Sequence, residues 1–313
     1  MADPPCPGTR VMDHLNHGAA SSGPLSWPAS DVVILVVLTA AASGYGMALW
    51  VARERGRWPV HRALFWYLGL MAAGAGLVGP VAEAAHSSFT AHMTGHLLLG
   101  MIAPVLLVLA GPITVGLRAL PVPAAKALAR MLRSPLVRVA AHPVTALVLN
   151  GGGLWALYAT DLYPLMHASP VIHALVHAHI LLAGYVFAAS LVGVDPNPHP
   201  TSMRLRSAVL IVFIAVHSIL AKWLYANPPA GVEEADARIG AQLMYYGGDA
   251  VDVMLIVLLF AGWYSATWRR HSTDGVKPVR GLRRGARSAS PRRPDADGKE
   301  PADPGYRWSR QES

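Results

Sequence analysis

The chain is nearly devoid of cysteine, with Cys6 the only one in 313 residues. That excludes an intramolecular disulfide framework and any CxxC redox or zinc motif. Charge is scarce too: Asp, Glu, Lys and Arg make up 14%, against about one quarter in a soluble protein. Much of it lies outside the apolar runs, so these are more apolar than the 53% hydrophobic average suggests. Residues 1–30 carry Pro, Gly, Ser and His but no apolar core of a leader, so no cleavable signal peptide is expected. No internal repeat stands out. The net charge of +8 does not point to nucleic acid, because Lys and Arg fall in short loops between apolar spans and in a polar tail.

What is present is a series of apolar segments of membrane-crossing length. Seven are expected, at about 32–52, 62–82, 92–116, 144–160, 170–193, 204–225 and 249–268. The fourth is short and contains Asn150 and Gly151-Gly152-Gly153, a run that thins or bends a helix. Pro104 and Pro112 are expected to kink the third, and Pro80 the end of the second.

Basic residues alternate with the spans. Arg53, Arg55, Arg57 and Arg62 follow the first, and Arg118, Lys126, Arg130, Arg133 and Arg138 follow the third. Arg204 and Arg206 precede the sixth, and Arg269 and Arg270 follow the seventh. The other loops carry Glu83, Asp161, Glu233, Glu234 and Asp236 instead. The positive-inside rule then sets the N-terminus outside and the C-terminus in the cytoplasm. The expected fold is all-α: a polytopic membrane protein, a seven-transmembrane-helix bundle at 31–270. A flexible extracytoplasmic tail at 1–30 and a disordered basic cytoplasmic tail at 271–313 flank it. Residues 120–141 alternate basic and apolar residues at helical spacing, which suits an amphipathic helix on the cytoplasmic face.

Two histidine pairs lie inside these spans: His92 with His96, and His173 with His177. At i, i+4 both rings of a pair leave one helix face. Ionisable groups in a bilayer are costly and face the bundle interior. With this topology His92 and His96 occupy the first turns of span three. His173 and His177 are roughly 5–10 Å deep and His217 is about 20 Å along span six, all in the outer half. Asp249 and Asp252 open the seventh span at the same level, where Asp249 serves as a helix cap or as part of a polar site. His179 points about 200° away from His177 and is a poorer candidate.

The candidate metal ligands are therefore His92, His96, His173, His177 and His217. Met93 and Met244 are thioether candidates whose ordinary use is core filling. Glu83, Asp161 and Asp249 favour the approach of a cation. In the N-terminal tail Cys6, Met12, His14 and His17 combine thiol, thioether and imidazole, a set suited to Cu(I). Residues four apart lie only about 6 Å apart along a helix, too close for each to serve a separate haem. A compact ion or a proton relay fits better, and the residues alone do not separate copper from zinc.

The segment Phe89 to Pro112, with His92, Met93, His96, Ala103, Pro104 and Pro112, resembles the multi-span CtaG-like cytochrome c oxidase assembly factors. Gly193, Asp195, Pro196 and Pro198 resemble that family's Gly-x-Asp-Pro-x-Pro turn. His177 and His217 match its histidines on the flanking helices. Asp236, Gly240, Met244, Gly248 and Asp249 resemble its last motif, with Tyr245 where a Trp is usual and without the usual Gln pair. The resemblance covers about residues 30–268. It implies an assembly role, not an enzyme, in maturation of a haem–copper oxidase in the bacterial cytoplasmic membrane. The implied partners are a cytochrome c oxidase subunit or a copper chaperone, with copper as cargo. A metal-ion or proton transporter, a haem- or quinone-binding membrane oxidoreductase, and a purely structural scaffold remain alternatives.

Overall fold

The structure, a computed structural model, describes residues 29–274 except 197, 198 and 200. The N-terminal residues Cys6, Met12, His14 and His17 and most of the 271–313 tail lie outside the described residues. The packed helices belong to one unit that ends at Ser265, and a second unit begins at Ala266.

All regular structure among the described residues is helical. That is the expected result for apolar runs of this length, since lipid offers no partner to backbone N–H and C=O groups. Among the described residues, six helices are long and apolar enough to cross a membrane: Asp31–Arg55, Val60–Ala84, Phe89–Leu109, Pro170–Val192, Met203–Ala226 and Glu234–Ser265. The elements are α1 (Ala29–Ala52), α2 (Val60–Leu77), α3 (Pro80–Ala84), α4 (Phe89–His96) and α5 (Ala103–Leu109). They continue with α6 (Pro112–Ala119), α7 (Val122–Leu132), α8 (Pro135–Ala140), α9 (Pro143–Leu147), α10 (Gly153–Ala159) and α11 (Leu162–Ala168). The long helices α12 (Pro170–Val192), α13 (Met203–Ala226) and α14 (Glu234–Asp274) are the last of the described elements.

Three expectations change. The fourth span is not one α-helix: α9 and α10 are joined by a π-helical turn, Val148–Gly152, that contains Asn150 and the first two glycines of the run. Its 17 residues from Pro143 to Ala159 measure about 25 Å at 1.5 Å per residue, short of the roughly 30 Å hydrocarbon core. It nevertheless runs the length of the bundle, for Ala146 packs with Phe187 and Leu191 while Tyr158 packs with Phe89 and Met166. The third span ends at Leu109. Gly111, at φ 65°, turns the chain before α6, so Pro112 starts a new helix instead of kinking the old one. The last helix begins at Glu234, so Asp249 lies well inside it and is not its cap.

The bundle has two distinguishable ends. At one, Arg55 donates to the Leu120 carbonyl at 3.2 Å, and the Arg62 and Arg118 guanidiniums lie over the Trp58 ring at 5.2 and 5.3 Å. At the other, Phe89, Tyr158, Tyr163 and Met166 pack with Leu220 and Met244. Each end is tied by an aspartate distant in sequence. Asp195 accepts from Ile113 N at 3.1 Å and Thr114 N at 2.9 Å, and so caps α6 at the arginine end. At the opposite end Asp236 accepts from the Phe89 and Thr90 amides and from the Ser88 hydroxyl, capping α4. A carboxylate at a helix N-terminus satisfies orphan amides and opposes the positive end of the dipole.

Helices also close on one another through glycine. A Cβ on Gly184 of α12 would stand 2.4 Å from the Gly100 carbonyl oxygen, so only hydrogen fits there. Gly100 belongs to a second π-helical stretch, Leu97–Ile102, which links α4 to α5.

Candidate functional site

The sequence places its paired histidines on α4 and α12, and the structure sorts them into two groups. The deeper group is a pair drawn from different helices. His96, the last residue of α4, faces His217 of α13 with ring centroids 6.4 Å apart and planes at 21°. Both side chains are buried, and all four of their ring nitrogens lack a hydrogen-bond partner. An unpartnered buried polar group costs about 1–3 kcal/mol and calls for an explanation. His96 emerges immediately before the Leu97–Ile102 π-helical stretch, a distortion that recurs at functional sites.

Room for the two rings comes from glycine. A Cβ on Gly248 would lie 2.3 Å from His217 Cε1, and one on Gly100 would lie 3.3 Å from His96 Nδ1. Below them on α14, one turn past Gly248, sits Asp252, 2% exposed and with both carboxylate oxygens unpartnered. Asp249 is half-buried beside it. The pair lies at the junction of two cores. Met93 and Met244 are in the core at the histidine end, and Met101 and Val251 in the core at the arginine end.

The shallower group is wider than the sequence reading allowed. The rings of His173 and His177 lie 4.2 Å apart and tilted by 31°, neighbours on one face as i, i+4 spacing dictates. His86, in the turn after α3, faces His173 at 6.1 Å. His177 Nδ1–H donates to the His173 carbonyl at 2.9 Å, which fixes the tautomer and leaves Nε2 as the lone-pair nitrogen. His92 does not pair with His96. Its Nε2 is 3.1 Å from the Tyr158 hydroxyl, and its ring sits 5.2 Å from Tyr163 and 6.0 Å from His167. Met93 is fully buried, its sulfur 4.0 Å from the same Tyr158 hydroxyl. Burial, with Asp236 adding to it, pushes the Tyr163 hydroxyl up to about 12, so it stays a neutral donor. Glu83 and Asp161 are exposed.

His86, His167, Tyr158 and Tyr163 escaped the sequence reading because each lies in a turn, a short helix or an interrupted one, not in a regular span. His179 is engaged elsewhere. It donates from Nε2 to the Leu149 carbonyl at 3.0 Å, within the π-helical turn, and a Cβ on Gly153 would meet that nitrogen at 2.5 Å. No group of three His, Cys, Asp or Glu side chains placed to hold a metal ion occurs among the described residues.

These features define a helical membrane protein in which the His96 and His217 imidazoles, without hydrogen-bond partners, are buried between helices. The family model for the cytochrome c oxidase caa3 assembly factor (Caa3_CtaG) matches residues 43–266, and the chain belongs to that family. An uncharacterized protein of Mycobacterium leprae (strain TN) is 29% identical over 254 residues, 73% of this chain and 38% of the relative. Uncharacterized proteins of Mycobacterium bovis and Mycobacterium tuberculosis (strain CDC 1551 / Oshkosh) are each 30% identical over 244 residues, 71% of this chain and 37% of theirs. The chain thus spans less than two fifths of the length of these curated relatives. No solved structure matches it.

Proposed function

We propose that this protein takes part in assembling a haem–copper cytochrome c oxidase by holding copper for transfer to an oxidase subunit, with His96 and His217 as the central ligands. In this reading the chain crosses the bacterial cytoplasmic membrane seven times, with the short Pro143–Ala159 run as the fourth crossing and the N-terminus outside. The arginine end then faces the cytoplasm, in line with the positive-inside rule, and the shallower histidines face outward. A copper chaperone on the outer side is the natural donor, with Glu83 and Asp161 exposed toward it.

The observation that carries the proposal is the His96–His217 pair itself. Two imidazoles on opposite sides of one ion, at a bond length of about 2 Å, have ring centroids about 6 Å apart. The observed 6.4 Å is close to that value. Zinc sites of the structural kind need four ligands, more than this pair supplies. Two ligands suit a cargo ion that must leave again. His92, His173 and His177, with Met93 nearby, lie between this pair and the exposed end and offer intermediate positions.

The test compares Cu(I) stoichiometry of the purified wild type with that of His96→Ala and His217→Ala. Loss of one equivalent in each variant is expected. Undiminished copper in both variants defeats the ligand assignment. Full activity of the copper-containing oxidase in a deletion strain defeats the assembly role.

A further inference from the structure

The arginine end carries a feature that copper handling does not use. Between the end of α1 and the end of α6 lies a cavity of about 260 Å³ lined by Arg53, Gly56, Arg57, Trp58 and Arg118, together with the apolar Leu49 and Ala52. Gly56, at φ 129°, turns the chain sharply there, so that Arg53 and Arg57 come to one cavity from either side of it. Arg118 enters from the end of α6 with its guanidinium over the Trp58 ring at 5.3 Å, and Arg62 covers the same ring at 5.2 Å.

Among the described residues, none of these cations has an ion-pair partner. The one salt bridge between side chains among the described residues joins Arg238 to Glu234, at the opposite end of the bundle. Arg55, which completes the cluster, donates to the Arg118 and Leu120 carbonyls and so ties the two loops together. Guanidiniums present forked donors that match phosphate oxygens, and Arg is used wherever such recognition matters. Trp50, exposed on the last turn of α1, is of the residue type that gathers at a membrane–water interface, and Arg53 stands over it at 4.6 Å.

We infer that the Arg53–Arg57–Arg118 cavity is a phosphate-binding site that takes the headgroup of an anionic phospholipid or a free phosphate ester. It is independent of the copper reading.

The full chain, purified in detergent, is offered phosphatidylglycerol and phosphatidylcholine in equal amounts, and retained lipid is counted by native mass spectrometry. In a parallel arm inorganic phosphate and glycerol 3-phosphate are titrated without lipid, read by thermal unfolding. Preferential retention of phosphatidylglycerol is expected, weakened about 30-fold in the Arg53→Gln/Arg57→Gln double variant, from the contribution of each basic residue near a lipid surface. The charge-conserving Arg53→Lys/Arg57→Lys variant separates site from charge, and an intermediate loss is expected because Lys lacks the fork. Stabilisation by phosphate or its ester in wild type but not in the Gln variant, without lipid preference, supports the same site with a soluble source. Equal retention of both lipids and no phosphate effect overturns the inference. So does a Gln variant that behaves as wild type in both arms. Copper stoichiometry should be unchanged in these variants, so failure here leaves the His96–His217 assignment standing.

Discussion

Gly248→Ala tests the copper pair without touching a ligand. The added methyl would lie 2.3 Å from His217 Cε1 and 2.8 Å from Nδ1, more than 1 Å inside the roughly 3.5 Å at which non-bonded carbons rest. His217 is 1% exposed and packs 5.8 Å from Phe213, so its ring can move only by displacing its neighbours. Either the ring tilts away from His96 or α13 and α14 separate. Overpacking of this kind costs about 1–3 kcal/mol, and the gain of roughly 1 kcal/mol in helix propensity for Ala over Gly offsets part of it. The protein should therefore still fold while the imidazole pair is misaligned. Disturbing the groups that orient a metal ligand lowers affinity about 10–100-fold. The assay is competition with a chromophoric Cu(I) chelator, alongside thermal unfolding in detergent. Gly44→Ala on α1, where an added Cβ meets nothing within 4 Å, is the control and should match wild type in copper. A Gly248→Ala protein with copper affinity within about twofold of wild type would refute the assignment of His217.

Asp236→Asn replaces one accepting oxygen with an NH2 donor facing the α4 amides and should cost about 1–3 kcal/mol, seen as a lower unfolding temperature. Asp195→Asn should do the same at the arginine end while leaving copper binding unchanged. Gly184→Ala drives a methyl to 2.4 Å from the Gly100 carbonyl, and a loss of about 1–3 kcal/mol is expected from overpacking. Stability equal to wild type would mean that α12 and the π-helical stretch are not in contact. His179→Ala should lose the bond to the Leu149 carbonyl and about 1 kcal/mol of stability but no copper. A drop in copper stoichiometry there would show that the wrong face of α12 has been assigned.

The regular spans were readable because their signal is local. The expected 170–193 and 204–225 fall within a residue of Pro170–Val192 and Met203–Ala226. The last helix was misread at its start because Glu234, Asp236 and Arg238 look like a loop. They are polar because this turn meets solvent and because Asp236 is needed by α4, a demand set 147 residues away. The π-helical stretches have no periodic signature, and at Leu97–Ile102 the apolar run reads as ordinary helix. The histidines were legible as a set but not in their partners. Spacing alone gives His173 with His177. It cannot show that His96 turns to His217 while His92 turns to Tyr158, since that choice belongs to the packing of α4, α10 and α13. The glycines beside His96 and His217 look like any small residues in a membrane helix until the rings they accommodate are seen.

The clasp between Asp236 and the start of α4 also sets a clock. Phe89 and Thr90 leave the ribosome 147 and 146 residues ahead of the carboxylate that caps them. At roughly 5–20 residues per second that gap lasts on the order of 7–30 s. During that interval the helix bearing His92 and His96 has been made but its closing partner has not, and Gly248, which flanks His217, arrives later still. The mouth of the histidine end thus stays open until the last helix begins, and each new chain passes through a period in which its imidazoles stand open before that helix shuts beside them.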